Sequence, residues 1–245
     1  MVKGARTEHC MRNLAVIPAR SGSKGLKNKN IRMFAGKPLM AYTIESAINS
    51  NQFKCVHVST DSLKYADIAR QYGADVPFLR SEKLSTDEAG TWDTVRFVIN
   101  EYLRLGNEFD TVTVLQPTSP LRTAGDIIAA FHIFEKKGAE AVVSVCETEY
   151  LPLLCNVLPE NGSLNNFVDL NIVGRRQQSQ QFYRINGAIY IQSVDLLMRK
   201  GELYGEKSFA YIMAKGSSID IDDDYDFTIA ELLLLKRLNM SGRTE

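Results

Sequence analysis

The sequence predicts an α/β fold built on a doubly wound, mostly parallel sheet. Three observations predict it. From Arg12 onward, short apolar runs rich in β-branched residues alternate with helix-like segments. Glycine or proline punctuates the helical patterns at their ends. A length of 245 residues suits one α/β domain, with or without a sizeable insertion.

The expected strands lie at residues 14–17, 55–59, 111–115 and 141–145. Helical patterns fill the gaps: 38–49, opened by Pro38; 63–72, closed by Gly73; 91–105; and 124–137, closed by Gly138. After Glu147 the alternation breaks into a stretch with Pro152, Pro159 and Gly162, then a polar run through Arg175, Arg176 and the glutamines Gln177, Gln178, Gln180 and Gln181. A protruding insertion is expected there, at about 150–183. A β-rich piece at 183–192, a strand near 211–214 and a last amphipathic helix at 225–238 complete the pattern. Residues 1–11 precede the first periodic segment and read as a disordered extension, with Met11 a plausible alternative start, which leaves 12–245 as one domain.

Composition removes several function classes. Lys+Arg and Asp+Glu balance at 29 each, so nucleic acid is not expected as a partner. No apolar run reaches the roughly 18 to 20 residues of a membrane span, and no secretory pattern opens the chain; a cytoplasmic location is expected, with no membrane partner. Cys10, Cys55, Cys146 and Cys155 form no C-x-x-C pair and read as free, buried thiols.

The first chemistry-bearing feature follows strand one. Between Arg12 and Lys37 stand Arg20, Lys24, Lys27, Lys29 and Arg32, with no carboxylate until Glu45. Such an excess in a neutral chain calls for an anion. Gly22 and Gly25 let backbone N–H groups approach phosphate oxygens, while Ser21 and Ser23 add hydroxyl donors. The run matches neither G-x-x-x-x-G-K-[ST] nor G-x-G-x-x-G, so it is neither a Walker loop nor a dinucleotide fingerprint.

A second feature is Ser218-Ile219-Asp220-Ile221-Asp222. Alternation in an extended segment puts Asp220 and Asp222 on one face and the isoleucines on the other. Two adjacent carboxylates repel unless a cation lies between them, and Mg²⁺, with Mn²⁺ as a substitute, is the natural guest. Asp223, Asp224 and Asp226 stand where the last helix begins and are expected to cap it.

Ile17-Pro18-Ala19-Arg20-Ser21-Gly22-Ser23-Lys24-Gly25-Leu26 with Lys29-Asn30 resembles the signature of the acylneuraminate cytidylyltransferases, which make CMP-activated sialic acids from CTP. Ser59-Thr60-Asp61, Leu115-Gln116-Pro117-Thr118-Ser119-Pro120-Leu121-Arg122, Asn186-Gly187-Ala188-Ile189-Tyr190 and Ser218 to Asp222 match further family motifs in order, from about residue 12 to 230. The resemblance implies a Rossmann-like sheet of the nucleotide-diphospho-sugar transferase type.

It also implies a homodimer in which the insertion crosses to the partner. The nucleotide would be held by Ala19, Arg20, Ser21, Gly22, Ser23, Lys24, Lys29 and Asn30, and the cytosine read near Arg80, Ala89 and Thr91. The resemblance places sugar-acid contacts on Gln116, Ser119, Arg176, Arg184, Asn186 and Tyr190, the arginines suiting a carboxylate. Trp92, the sole tryptophan, reads as core packing.

The implied reaction joins CTP to a nine-carbon 2-keto sugar acid, N-acetylneuraminic acid or a close analogue. The sugar 2-hydroxyl attacks the α-phosphorus in line and pyrophosphate leaves. Arg20, Lys29, Asp220 and Asp222 form the expected catalytic set. No dedicated base stands out; a metal-lowered hydroxyl pKa or a nearby carboxylate could remove the proton. Legionaminic or pseudaminic acid are alternative substrates. The eight-carbon acid of lipopolysaccharide fits less well, because its enzymes open with a different post-strand loop. A catalytically silent nucleotide-binding subunit would be expected to have lost Asp220, Asp222 or Lys24, and all three are present.

Overall fold

The computed structural model describes residues 11–22, 25–81, 84–86, 90–148, 152–168, 181–199 and 202–241. The first strand, β1 (Asn13–Pro18), is apolar at consecutive positions, as a strand covered on both faces must be. A small hairpin, β2 (Met33–Phe34) and β3 (Lys37–Pro38), leads into α1 (Leu39–Asn49). The helix begins at Leu39, one place after the start the sequence suggests, Pro38. Pro38 is the N-cap, with extended ψ of 139°, because it pairs with Met33 in the hairpin.

There follow β4 (Cys55–Ser59), α2 (Leu63–Gln71), α3 (Thr91–Arg104), β5 (Thr111–Val114), α4 (Ala124–Lys137) and β6 (Ala141–Glu147). Gly138 takes a left-handed φ of 54° at the end of α4, and Thr123 with Asp126 closes its start as a capping box. The chain then continues through β7 (Tyr183–Ser193), α5 (Val194–Met198), β8 (Ser208–Ile212) and α6 (Asp224–Ser241). The strand expected near 211–214 begins at Ser208 instead. Ser208 to Ile212 pair in parallel with Ala141 to Val145, and Ala214 caps a short 3₁₀ turn.

The six-stranded sheet runs β4-β1-β5-β7-β6-β8. All pairings are parallel except the two made by β7, which lies antiparallel between β5 and β6. Helices cover both faces. One core joins Ile17, Met40, Ile44, Val58, Ile127, Phe131 and Ile189; a second joins Leu14, Val16, Val95, Val98, Tyr102 and Val112. A third cluster, with Leu26, Phe34, Leu121, Ile221 and Phe227, packs the start of α6 against the segment after β1. That placement brings residues some two hundred positions apart to one end of the sheet, beyond the carboxyl ends of β1 and β5, where an open α/β sheet presents its ligand crevice.

Among the described residues of the expected insertion, Pro152–Leu154 forms a 3₁₀ turn, and Val157, Leu158 and Leu164 are exposed. Cys55, Cys146 and Cys155 are free thiols; Cys146 is buried as expected, whereas Cys55 is only partly buried and Cys155 is exposed.

Candidate active site

The backbone after β1 turns out of the sheet at Ala19, whose N–H donates to the Ser59 carbonyl at 2.9 Å. Ser21 is then fixed by Asp61: its N–H and its hydroxyl each donate to that carboxylate, at 2.8 Å. Burial pushes the Asp61 carboxyl up, but the two Ser21 bonds, its own backbone N–H and the charge of Arg80 together hold the net value below the usual range. Asn30 is buried and its side-chain amide donates to the Arg20 carbonyl at 3.2 Å, closing the loop on itself. The Cα of Gly22 faces open space. Ser23, Lys24, Ala89 and Arg176 lie outside the described residues.

A cavity of about 480 Å³ opens beside this loop, lined by Arg20, Gly25, Lys29 and Asn30 on one side and by Gln116, Thr118, Asp220 and Asp222 on the other. Its size suits a small-molecule ligand. Two contacts lock the walls together. The Lys29 ammonium donates to the Ile221 carbonyl at 2.5 Å and lies 3.5 Å from an Asp222 oxygen. The Ile221 N–H donates to the Thr118 carbonyl at 2.9 Å.

Asp220 and Asp222 share the cavity wall, while Ile219 and Ile221 pack into the third core cluster. Asp220 Oδ1 is buried without a hydrogen-bond partner. Its pKa is raised, first by burial and then by the charge of Asp222, against the facing Thr118 hydroxyl, Lys29 and Arg184. Among the described residues no cluster of three or more His, Cys, Asp or Glu side chains makes a self-contained metal site. A carboxylate pair with an orphaned buried oxygen instead fits a cation that takes one or two protein ligands and completes its shell with substrate phosphates and water, as Mg²⁺ does.

Arg20 also borders a second cavity, of about 280 Å³, with Arg80, Leu84, Thr86, Thr91 and Thr94. Arg80 is nearly buried, donating to the carbonyls of Ser59 at 3.2 Å and Leu84 at 3.4 Å. Thr91 opens α3 at the cavity edge, whereas Trp92 turns to the second core and meets Tyr190 edge-on at 6.1 Å.

The residues expected at the sugar acid divide. Gln116 lines the main cavity, its side chain lying over Gly187: a Cβ there would meet Gln116 Oε1 at 2.5 Å. Ser119, Asn186 and Tyr190 line none of the cavities described. Ser119 is fully buried, and Tyr190 is held in β7 against Trp92. The Asn186 amide is consumed internally, accepting from Ser144 at 2.6 Å and donating to Ser218 at 2.9 Å. Arg184 donates to the Ser218 carbonyl at 3.0 Å and borders a third cavity with Glu147, Lys215, Ile219 and Leu233.

At the start of α6, Asp223 and Asp226 cap as expected: Asp223 accepts from the N–H groups of Tyr225 and Asp226, and Asp226 accepts from that of Asp222. Asp224 does not cap; it pairs with Arg32 at 2.6 Å, because the third core cluster brings the two together. Asp61 and Thr118 were legible only as parts of longer motifs, and their positions directly after β4 and β5 were the available signal.

A family model described as "Cytidylyltransferase" matches residues 14–241. The chain belongs to the cytidylyltransferase family. It is 40% identical over 225 residues, 91% of this chain and 52% of the relative, to an N-acylneuraminate cytidylyltransferase of Escherichia coli O18:K1:H7. It is also 40% identical over 228 residues, 91% of this chain and 97% of the relative, to a CMP-N,N'-diacetyllegionaminic acid synthase of Legionella pneumophila. The chain thus spans about half the length of the first and nearly all of the second. Among solved structures, CMP:2-keto-3-deoxy-manno-octonic acid synthetase complexed with CTP superposes with a TM-score of 0.70 at 16% identity, covering 92% of this chain and 99% of that one. That likeness establishes the shared nucleotidyltransferase fold.

Proposed function

We propose that this family member transfers CMP from CTP to a nine-carbon 2-keto sugar acid, releasing pyrophosphate. The observation that carries the reading is the main cavity, where the cations Arg20 and Lys29 face the carboxylates Asp220 and Asp222 across a space of ligand size. A triphosphate and a divalent cation need those two kinds of wall together.

In this reading the loop from Ala19 to Asn30, including Ser21, Gly22, Ser23 and Lys24, holds the phosphates. Arg20 spans from the phosphates to the smaller cavity, where Arg80, Thr91 and the segment around Ala89 receive the cytosine; a guanidinium, a hydroxyl and a backbone carbonyl match its O2, N3 and amino group. Asp220 and Asp222 would hold Mg²⁺, or Mn²⁺ in its place, which when bound neutralises phosphate charge and lowers the pKa of a nearby hydroxyl. Gln116 orients the sugar acid with its 2-hydroxyl toward the α-phosphorus, and Arg176 and Arg184 receive its carboxylate. Lys29, tied to the Ile221 carbonyl, keeps a positive charge beside the leaving oxygens.

The named substrates of the two 40%-identical relatives, acylneuraminate and diacetyllegionaminic acid, support the nine-carbon class and leave the choice within it to experiment. Incubation with CTP, Mg²⁺ and, separately, N-acetylneuraminic, legionaminic and pseudaminic acids should give the CMP ester of at least one, read by mass spectrometry. CMP transfer only to an eight-carbon acid, or to none, would refute the reading.

A homodimer completes the proposal, with the insertion at about 150–183 closing the partner's sugar site. Exposed Val157, Leu158 and Leu164 on its described part support it, since such side chains favour a covering surface. Sedimentation showing an active monomer would refute it. The free thiols suit a reducing, cytoplasmic setting, and no helix among the described residues is long and apolar enough to cross a membrane.

A further inference from the structure

Arg122 is the only arginine in the loop after β5, and it is 2% exposed. No carboxylate pairs with it among the described residues. Its guanidinium donates through Nη1 to two carbonyls, that of Gln116 at 3.2 Å and that of Ala188 at 2.9 Å, while Nε and Nη2 have no hydrogen-bond partner. A buried, unpaired charge is a liability that a well-packed apolar residue would relieve. Its place in the ladder gives it a task.

β5 and β7 are antiparallel, and their last described pair is Val114 with Tyr190. Two residues further on, the register would set Gln116 opposite Ala188, but β5 ends at Val114 and the strands part. Arg122 bridges those two carbonyls where the ladder opens. Thr43 also reaches the Gln116 carbonyl, at 3.4 Å. On the cavity side of the same junction, the Gln116 side chain lies against Gly187, which has a left-handed φ of 77° and whose Cα also faces Asp220. The backbone that aims Gln116 is therefore set by a side chain that never enters the cavity.

We propose that Arg122 is a positioning residue for the sugar-acid site: by clamping the Gln116 and Ala188 carbonyls, it fixes the direction of the Gln116 side chain relative to Gly187 and Asp220. A lysine keeps the charge, but its nitrogen ends one bond short of the Nη1 position from which both carbonyls are reached. The assignment rests on the proposed function, and the test separates the two. Wild-type protein that makes no CMP ester with any nine-carbon acid refutes that function. Wild-type turnover with unaltered variant kinetics refutes the role of Arg122 alone.

The test measures steady-state kinetics and thermal melting for Arg122→Lys, Arg122→Gln, Gln116→Ala and Gln116→Ala combined with Arg122→Lys, using the acid the wild type accepts. Arg122→Lys should raise KM for the acid roughly tenfold, the scale expected when a positioned group moves by a fraction of an ångström. KM for CTP should stay within about twofold, because the loop after β1 is untouched. In the Gln116→Ala background the same change should add less than about twofold, since the group it positions is gone. Equal effects on CTP and acid, or additive effects in the double variant, would overturn the proposal. Arg122→Gln supplies the same comparison if the lysine variant does not melt cooperatively. Failure of both to fold would overturn it too, making Arg122 a requirement of the fold.

Discussion

Gly25 lies directly against the backbone of Asp222: a Cβ on Gly25 would come 2.6 Å from the Asp222 carbonyl oxygen. The cationic loop and the carboxylate pair are thus in contact through main chain, and no flexible side-chain end can yield to relieve the clash. Gly25→Ala should therefore push the two cavity walls apart. The expected outcome is a fall in kcat/KM on the order of a hundredfold with little change in melting temperature, since the contact lies at the cavity rim. Near-normal kinetics would show that the walls need not meet this closely.

Asp222→Asn keeps the size of the side chain and removes half of the paired charge. Its side chain is 84% exposed, so folding should tolerate the change. Turnover at saturating acid should fall roughly a hundredfold or more, the scale of losing one preorganised charge at a reacting centre. Affinity for CTP, measured by calorimetry, should change much less. Normal turnover would sink the proposed metal role.

Asp61→Ala removes both acceptors for Ser21. A charged hydrogen bond contributes about 1.5 to 3 kcal/mol, so freeing the loop should raise KM for CTP about tenfold or more. KM for the acid should stay near its wild-type value. A uniform loss of both would point to global unfolding instead, which a melting curve would register.

His57 provides a pH prediction independent of catalysis. It is fully buried in β4, with Nδ1 3.2 Å from the Tyr102 hydroxyl and Nε2 without a partner. Burial pushes its pKa down to about 4, with Asp75 opposing and Arg80 reinforcing the shift. The folded state keeps the ring neutral while the unfolded chain takes a proton near pH 6.5, so the stability involved is present above that pH and is lost as pH falls toward 4. On the order of 3 kcal/mol should disappear across that window, visible as a lower urea midpoint. His57→Phe should flatten the dependence; an unchanged slope would assign it to other groups.

Much of this was legible in the sequence, for physical reasons that also mark the limits. β-branched runs such as Cys55 to Ser59 and the glycine after Lys137 declare element type and end locally, and both landed where expected. β8 was displaced because an edge strand is set by its partner, here Ala141 to Val145, more than by its own residues. Alternation correctly separated Asp220 and Asp222 from Ile219 and Ile221. It could not say that Thr118 and Ile221 would be hydrogen-bonded, since that pairing exists only in the folded sheet. Motif membership likewise does not reveal direction: Asn186 stands in the same motif as Gly187, yet its amide turns inward to Ser144 and Ser218. Motif membership of Arg122 does not reveal that its side chain is buried, which only the fold shows.

The central claim is that the loop after β1 and the Asp220–Asp222 segment form one site for CTP and a nine-carbon acid. The most direct measurement is the initial rate of pyrophosphate release with Mg²⁺, comparing CTP with ATP, GTP and UTP, with and without each nine-carbon acid. The account predicts release that requires both CTP and an acid and that falls to background with the other nucleotides. Release without any acid, or equal release from all four nucleotides, would contradict it.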